Sequence, residues 1–267
     1  MASPAARGDL SAALPYAPGA MDRLAPTLRP PGRPAGFQRW RDLLFLHWET
    51  PASALRAVVP PALELDTFEG RAYVGVVAFT MRDVTPWWSP SVPGISHFHE
   101  LNVRTYVHRA GRDPGVWFFS LDAAKALAVL VARAGWHLPY HYASMALEPR
   151  GGEVHYRSER RWPGPVPARF EARYRVGAPI DGGVAAPGTF EHFLAERYLL
   201  FASRRGALEV GQVHHAPYPL HRAEVSHVEE SVVAAAGLPA PEGAPHVLFS
   251  PGVDVDVYAL RPAAPRA

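Results

Sequence analysis

The sequence predicts a mostly β (α+β) fold built from antiparallel strands. Residues 99–107 alternate apolar and polar side chains, which is the pattern of a strand with one buried face. Short apolar runs recur along the chain and are separated by turns rich in Gly and Pro. The segments with helical spacing are few and short. Closure of such strands into a barrel is one arrangement that fits this pattern.

The elements follow in order along the chain. Residues 1–36 are rich in Ala and Pro and lack periodicity, so they are predicted to form a disordered tail. Residues 37–262 show dense patterning without a linker or repeat and are predicted to form a single domain. Its first strand is at 43–48, and Thr50 as N-cap with Pro51 in the first turn opens a short helix to Val59.

A turn at 68–70, a strand at 72–81 and a loop at 83–96 precede the alternating strand at 99–107. After a turn at 109–115, a strand at 116–121 leads to Asp122, which is predicted to cap a helix that ends near residue 134. Further strands are predicted at 142–147, 153–160, 169–176, 208–214 and 253–260. Further helices are predicted at 189–198 and 228–236.

Composition excludes several classes of function. Hydrophobic residues make up 48% of the 267 residues, which is enough for a substantial core. The chain has no cysteine, so disulfides and thiolate chemistry are excluded. A net charge of +2 is too small for a nucleic-acid-binding surface, and no apolar run has the length of a membrane span. No secretory signal is visible, so a cytoplasmic location is expected, with neither nucleic acid nor membrane as a partner.

Three stretches carry a family resemblance. They are residues 45–66, residues 98–123 with the segment Phe98-His99-Glu100-Leu101-Asn102, and residues 193–220 with the segment Phe193-Leu194-Ala195-Glu196-Arg197-Tyr198. Together they resemble the YqjF-like family of uncharacterised bacterial proteins, in the acetoacetate decarboxylase-like superfamily. The resemblance implies an antiparallel β-barrel around an internal pocket. It implies no established reaction.

The same resemblance points to two catalytic candidates. Decarboxylase-like relatives use a lysine that forms a Schiff base with a ketone, and Lys125, the only lysine, occupies the corresponding place. Glu100 resembles a pocket carboxylate that orients substrate or moves a proton. Against a reactive Lys125, helical spacing places it nearly opposite an apolar stripe, Leu127, Leu130, Val131 and Ala134, so it would face water if that stripe faced the core. The lysine's own side is not plainly hydrated either, because it carries Ala128, Val129, Ala132 and Trp136.

A polar row on the alternating strand supplies the binding candidates. Asn102, Arg104 and Tyr106 share one strand face with Glu100. Arg104 is suited to bind a substrate carboxylate, or equally to pair with Glu100 or Asp122 as a structural ion pair. Phe98 and Ser120, from the same motif stretches, complete the predicted substrate-binding set. The row is an ordinary solvated face if it points outward and a pocket lining if it points inward, and the family resemblance favours the pocket.

Two classes of function fit these residues. One is a lyase or decarboxylase-like enzyme that acts on a small oxo-acid through a Schiff base or through carboxylate acid–base chemistry. The other is a non-catalytic binder of a small anionic or carbonyl ligand. No metal-ligand spacing, phosphate loop or dinucleotide motif is present, so neither metal nor cofactor is expected. A homodimer is the default expectation for the assembly.

Overall fold

The computed structural model describes residues 21–92 and 96–263. The strands are β1 (Gly36–Glu49), β2 (Glu64–Leu65), β3 (Tyr73–Pro86), β4 (Phe98–Arg109), β5 (Arg112–Ala123), β6 (Tyr140–Arg150), β7 (Glu153–Trp162), β8 (Arg169–Pro179), β9 (Leu199–Arg204), β10 (Ala207–His214), β11 (His221–Glu230), β12 (His246–Val257) and β13 (Arg261–Pro262). The helices are α1 (Ala52–Val58), α2 (Ala126–Gly135), α3 (Phe190–Ala195) and α4 (Val232–Ala235). The described part of the chain is therefore mostly β, as the sequence predicts.

The strand pairings form two closed cycles that share five strands. β12, β1, β3, β4 and β5 pair in that order, and β5 continues through β9 and β10 back to β12. β5 also continues through β6, β7, β8 and β11 back to β12. The pairings of β5 with β6 and with β9 are parallel, and the other pairings in the two cycles are antiparallel. The antiparallel expectation therefore holds except at β5.

Residues 43–48 of β1, 73–81 of β3 and 100–107 of β4 are buried on both faces of the strand. Leu44, Leu46, Val76 and Val103 face one apolar core. Phe45 and its neighbours on the opposite face belong to a second core. Strands buried on both sides read as near-continuous apolar runs, as at 43–48 and 72–81.

Several local predictions differ from the structure. The N-cap of α1 is Pro51 and not Thr50, whose hydroxyl bonds the carbonyl of Trp48. The cap of α2 is Lys125, because Asp122 stays in β5 and pairs with Arg160. β9 and β11 were not predicted, and residues 228–230, predicted as helix, end β11.

The predicted tail also differs in part. Residues 1–20 lie outside the described residues. Within 21–36, Arg23 forms two 2.6 Å hydrogen bonds with the carboxylate of Asp66, and the guanidinium of Arg33 lies 3.8 Å from the Trp87 ring centre. These contacts connect to the domain a segment whose composition alone indicates disorder.

Among the helices of the described residues, none combines the length and the apolar composition that a membrane span requires.

Candidate functional site

A cavity of about 230 Å³ lies among the strands of the first cycle and α2. Its walls are mostly aromatic and aliphatic, and they include Trp40, Phe45, Val77, Phe79, Met81, Phe118, Leu121, Trp136 and Leu138. Polar side chains enter it at a few positions, namely Gln38, Glu100, Asn102, Arg104, Tyr140, Arg197, Tyr198 and Tyr218. An apolar cavity with few polar groups is the usual form of a small-molecule site.

The alternating face of β4 provides the polar edge of the cavity. Phe98, Glu100, Asn102 and Arg104 all line it, while Leu101 and its alternates pack into the other core. Glu100, Asn102 and Arg104 therefore face inward, toward the cavity. Glu100 and Arg104 lie four residues apart, which separates their Cα atoms by roughly 13 Å along the strand.

Arg104 lies at one end of this row as a buried cation without a carboxylate partner. Its residue is 8% exposed. One terminal nitrogen donates to the carbonyl of Leu194 at 3.2 Å, and its Nε has no partner. Among the described residues no carboxylate forms an ion pair with it. Burying a charge is costly unless it is paired, so this guanidinium favours an anion in the cavity.

Tyr106 lies behind Arg104 and is not among the residues that line the cavity. Its hydroxyl donates to the Leu194 carbonyl at 2.9 Å and lies 2.6 Å from Nε2 of His47. Burial and the nearby Arg104 lower the pKa of His47, so the neutral imidazole donates from Nε2 to the tyrosine oxygen. Gly75 permits this contact, since a Cβ there would lie 2.9 Å from the His47 ring. Tyr106 thus supports the arginine end of the cavity.

A second guanidinium reaches the same end of the cavity. Arg197 donates to Asp66 at 2.6 Å, and Asp66 is shared with Arg23. One terminal nitrogen of Arg197 has no partner. The guanidinium carbons of Arg197 and Arg104 lie 4.7 and 5.8 Å from the centre of the Tyr106 ring. Arg23 and Arg197 therefore share one carboxylate and Arg104 has none, so the local charge is positive.

The opposite end of the row carries an acid in an apolar setting. Glu100 is buried and accepts a hydrogen bond from the Tyr140 hydroxyl at 2.8 Å. Burial raises the pKa of Glu100 to about 8, and the charge of Asp122 adds to this effect. Glu100 is thus largely protonated near neutral pH. In that form it can donate a hydrogen bond or a proton to a group in the cavity.

Ser120, predicted to bind substrate, is buried on the face of β5 that points away from the cavity. Arg104 pairs with Phe118 and Val103 pairs with Ser120, so Phe119 is an extra residue in β5. This bulge reverses the alternation, and Leu121 rather than Ser120 follows Phe118 into the cavity. Ser120 and Asp122 consequently point away from it.

Lys125, the predicted Schiff-base lysine, is the half-buried N-cap of α2 and is not among the residues that line the cavity. The helix itself faces the cavity through Ala128, Ala132 and Trp136. The apolar stripe expected to face the core is instead exposed, with Leu127 at 52%, Leu130 at 53% and Val131 at 60%. Val131 also lines the cavity, so the cavity reaches the surface beside α2.

Several lining residues were not identified from the sequence. Arg197 and Tyr198 lie in the segment 193–198 that carries the family resemblance. An arginine that follows the apolar residues 193–195 was the one feature of the sequence that pointed to a buried charge there. Tyr140 and Tyr218 belong to segments remote from β4, and only the strand pairing brings them to the cavity. The described residues contain no cluster of three or more His, Asp or Glu side chains that could hold a metal ion.

A family model described as "Uncharacterized conserved protein" (DUF2071) matches residues 37–254. The chain belongs to the DUF2071 family. A relative, "Uncharacterized protein YqjF" of Bacillus subtilis (strain 168), is 40% identical over 225 residues, covering 84% of this chain and 90% of that protein. The YqjF-like resemblance is therefore confirmed.

Solved structures show the fold of this DUF2071 protein to be similar to that of acetoacetate decarboxylases. The acetoacetate decarboxylase of Legionella pneumophila matches with a TM-score of 0.60 and 14% identity, covering 89% of this chain and 94% of that one. The enduracididine biosynthesis enzyme MppR complexed with pyruvate matches with a TM-score of 0.56 and 15% identity, covering 88% and 91%. The likeness at this identity establishes the fold.

Proposed function

We propose that this DUF2071 protein binds a small anionic molecule in the cavity, with Arg104 as the group that holds the negative charge. The buried guanidinium of Arg104, which lacks a carboxylate partner, is the observation that carries the proposal. An anion there would accept the unused Nε hydrogen and offset the desolvation of the cation. We further infer that the closed cycle of strand pairings surrounds the cavity as a barrel.

Titration calorimetry with hexanoate and hexanamide tests the proposal. These ligands have similar size and differ in charge, so hexanoate should bind and hexanamide should bind at least tenfold more weakly. Arg104→Met should weaken hexanoate binding roughly 10- to 100-fold, because a hydrogen bond to a charged group is lost. Arg82→Met is the control, since Arg82 is 57% exposed and outside the cavity. Equal binding of acid and amide, or unchanged binding by Arg104→Met, contradicts the proposal.

Acid–base catalysis on the bound anion is a second candidate function. The protonated Glu100, held by Tyr140 and lining the same cavity, supports it. In this reading the carboxylate of a 3-oxo-acid leaves as CO₂, the electron pair of the broken C–C bond moves to the neighbouring carbonyl, and Glu100 donates its proton to the enolate oxygen that forms. The decarboxylase-like fold of known enzymes is consistent with such lyase chemistry. An imine at Lys125 has no support from the position of that residue. Turnover of a bound oxo-acid by wild type and not by Glu100→Gln, measured by NMR, would establish this function.

A further inference from the structure

The size of the cavity bears on which anion it takes. An apolar cavity of roughly 150 Å³ in another protein holds benzene. The volume here is about 230 Å³, which by proportion leaves room for roughly nine non-hydrogen atoms. Acetate and pyruvate have four and six such atoms and would leave much of the space unfilled.

The cavity has a charged end at Arg104 and mostly apolar walls elsewhere. Beyond Arg104, the surfaces that face the cavity are dominated by rings, including those of Phe45, Phe79, Phe118 and Trp136. Aromatic walls favour an apolar body, and above all a ring that packs edge-to-face against them. A ligand that satisfies both ends therefore has one charged group and a compact apolar body.

The small side chains of α2 leave space for that apolar body. The helix lines the cavity with the small residues Ala128 and Ala132, with the largely exposed Val131, and with Trp136 one turn further along. Larger side chains at the alanine positions would occupy the space that the ligand body needs. Ala134 lies on the same helix and is exposed, outside the cavity lining, so it offers a matched control.

From these three features we propose that the natural ligand is a compact amphipathic carboxylic acid, with an aromatic or branched apolar body of about six or seven carbon atoms next to the carboxylate. This inference rests on the proposed function and specifies its ligand class. The carboxylate binds Arg104, and the body fills the apolar part of the cavity beneath α2. Short oxo-acids belong to a different size class.

Calorimetric titration of the full chain with acetate, pyruvate, benzoate and phenylacetate tests the ligand class. Each buried methylene-sized group should strengthen binding roughly fourfold. Phenylacetate should therefore bind at least 100-fold more tightly than acetate. Ala132→Leu should weaken phenylacetate binding at least tenfold and change acetate binding less than twofold, whereas Ala134→Leu should change neither.

The outcomes separate this inference from the proposed function. If acetate or pyruvate binds as tightly as phenylacetate and still depends on Arg104, the amphipathic class is wrong and anion binding stands. If Ala132→Leu and Ala134→Leu have the same effect on phenylacetate, the body does not lie beneath α2 and the inference is overturned. If none of the acids depends on Arg104, the proposed function fails as well.

Discussion

Strands β1, β3 and β4 carry different chemistry on their two faces. On one face, Leu44, Val76 and Val103 pack with aromatic side chains of β7 and β8 in an apolar core. On the other face, Phe45 and Arg104 border a cavity that also holds a carboxyl group and a second guanidinium. The same three strands therefore have a closely packed apolar core on one face. On the other face they border unfilled volume and a buried cation without an ionic partner.

Two buried arginines give the largest expected contrast between these sides. Arg160 pairs with Asp122 at 2.8 Å, and both side chains are at most 1% exposed. Arg160→Met should lower the free energy of unfolding by about 3–5 kcal/mol, since it leaves an uncompensated carboxylate. The loss should be smaller at pH 5, where Asp122, whose pKa burial raises to about 6, takes up a proton.

Arg104→Met is the matched change on the cavity side. It removes a cation that lacks an ionic partner, and the Leu194 carbonyl keeps its bond from Tyr106. The free energy of unfolding without ligand should stay the same or rise by up to about 2 kcal/mol. Denaturant titration measures both variants. A loss for Arg104→Met as large as that for Arg160→Met would make Arg104 a structural residue.

Adjacent leucines on β1 give the next contrast. Leu44 lies in the solid core and Leu43 lines the cavity, and both are buried. Leu44→Ala should lower the free energy of unfolding by about 3–5 kcal/mol because it opens a void in a packed core. Leu43→Ala should lower it by about 2 kcal/mol, since it enlarges space that already exists. Equal losses by denaturant titration would indicate that the cavity is as tightly packed as the other core.

The pH dependence of stability tests the buried acid. Because the pKa of Glu100 rises from its usual 4.5 to about 8, the folded state holds this proton more tightly than the unfolded state. Its contribution to stability is therefore complete below about pH 4.5 and is lost as the pH rises toward 8. Glu100→Gln removes this titration and keeps an acceptor for Tyr140.

The variant should match wild type at pH 4 and exceed its free energy of unfolding by on the order of 2 kcal/mol at pH 9. Paired denaturant titrations across this range measure the difference, and the other titrating groups are common to both proteins. A difference that does not vary with pH would show that folding leaves the pKa of Glu100 at its usual value.

The smallest effect is expected at Lys125. Lys125→Ala should change the free energy of unfolding by less than about 0.5 kcal/mol, because Lys125 makes no side-chain cap bond. It should leave carboxylate binding unchanged. Borohydride treatment with pyruvate, followed by intact mass measurement, should give no adduct on wild type. An adduct that Lys125→Ala abolishes would restore the imine mechanism.

The polar face of β4 could be predicted from the sequence, whereas features that depend on how the strands pair could not. The alternation at 99–107 identified Glu100, Asn102 and Arg104 as one face, and the family resemblance favoured the inward orientation. Ser120 was misplaced because a bulge has no signal in an apolar run such as 116–121. The orientation of α2 stayed open because both of its sides are apolar, so periodicity does not decide which side faces inward.

A crystal structure with bound 4-bromobenzoate tests how the carboxylate and the apolar body are placed, since anomalous scattering locates the bromine. A carboxylate oxygen should lie within hydrogen-bond distance of Arg104, and the bromine should lie among the aromatic side chains beneath α2. A carboxylate directed to solvent, or a bromine next to Arg104, would contradict this placement.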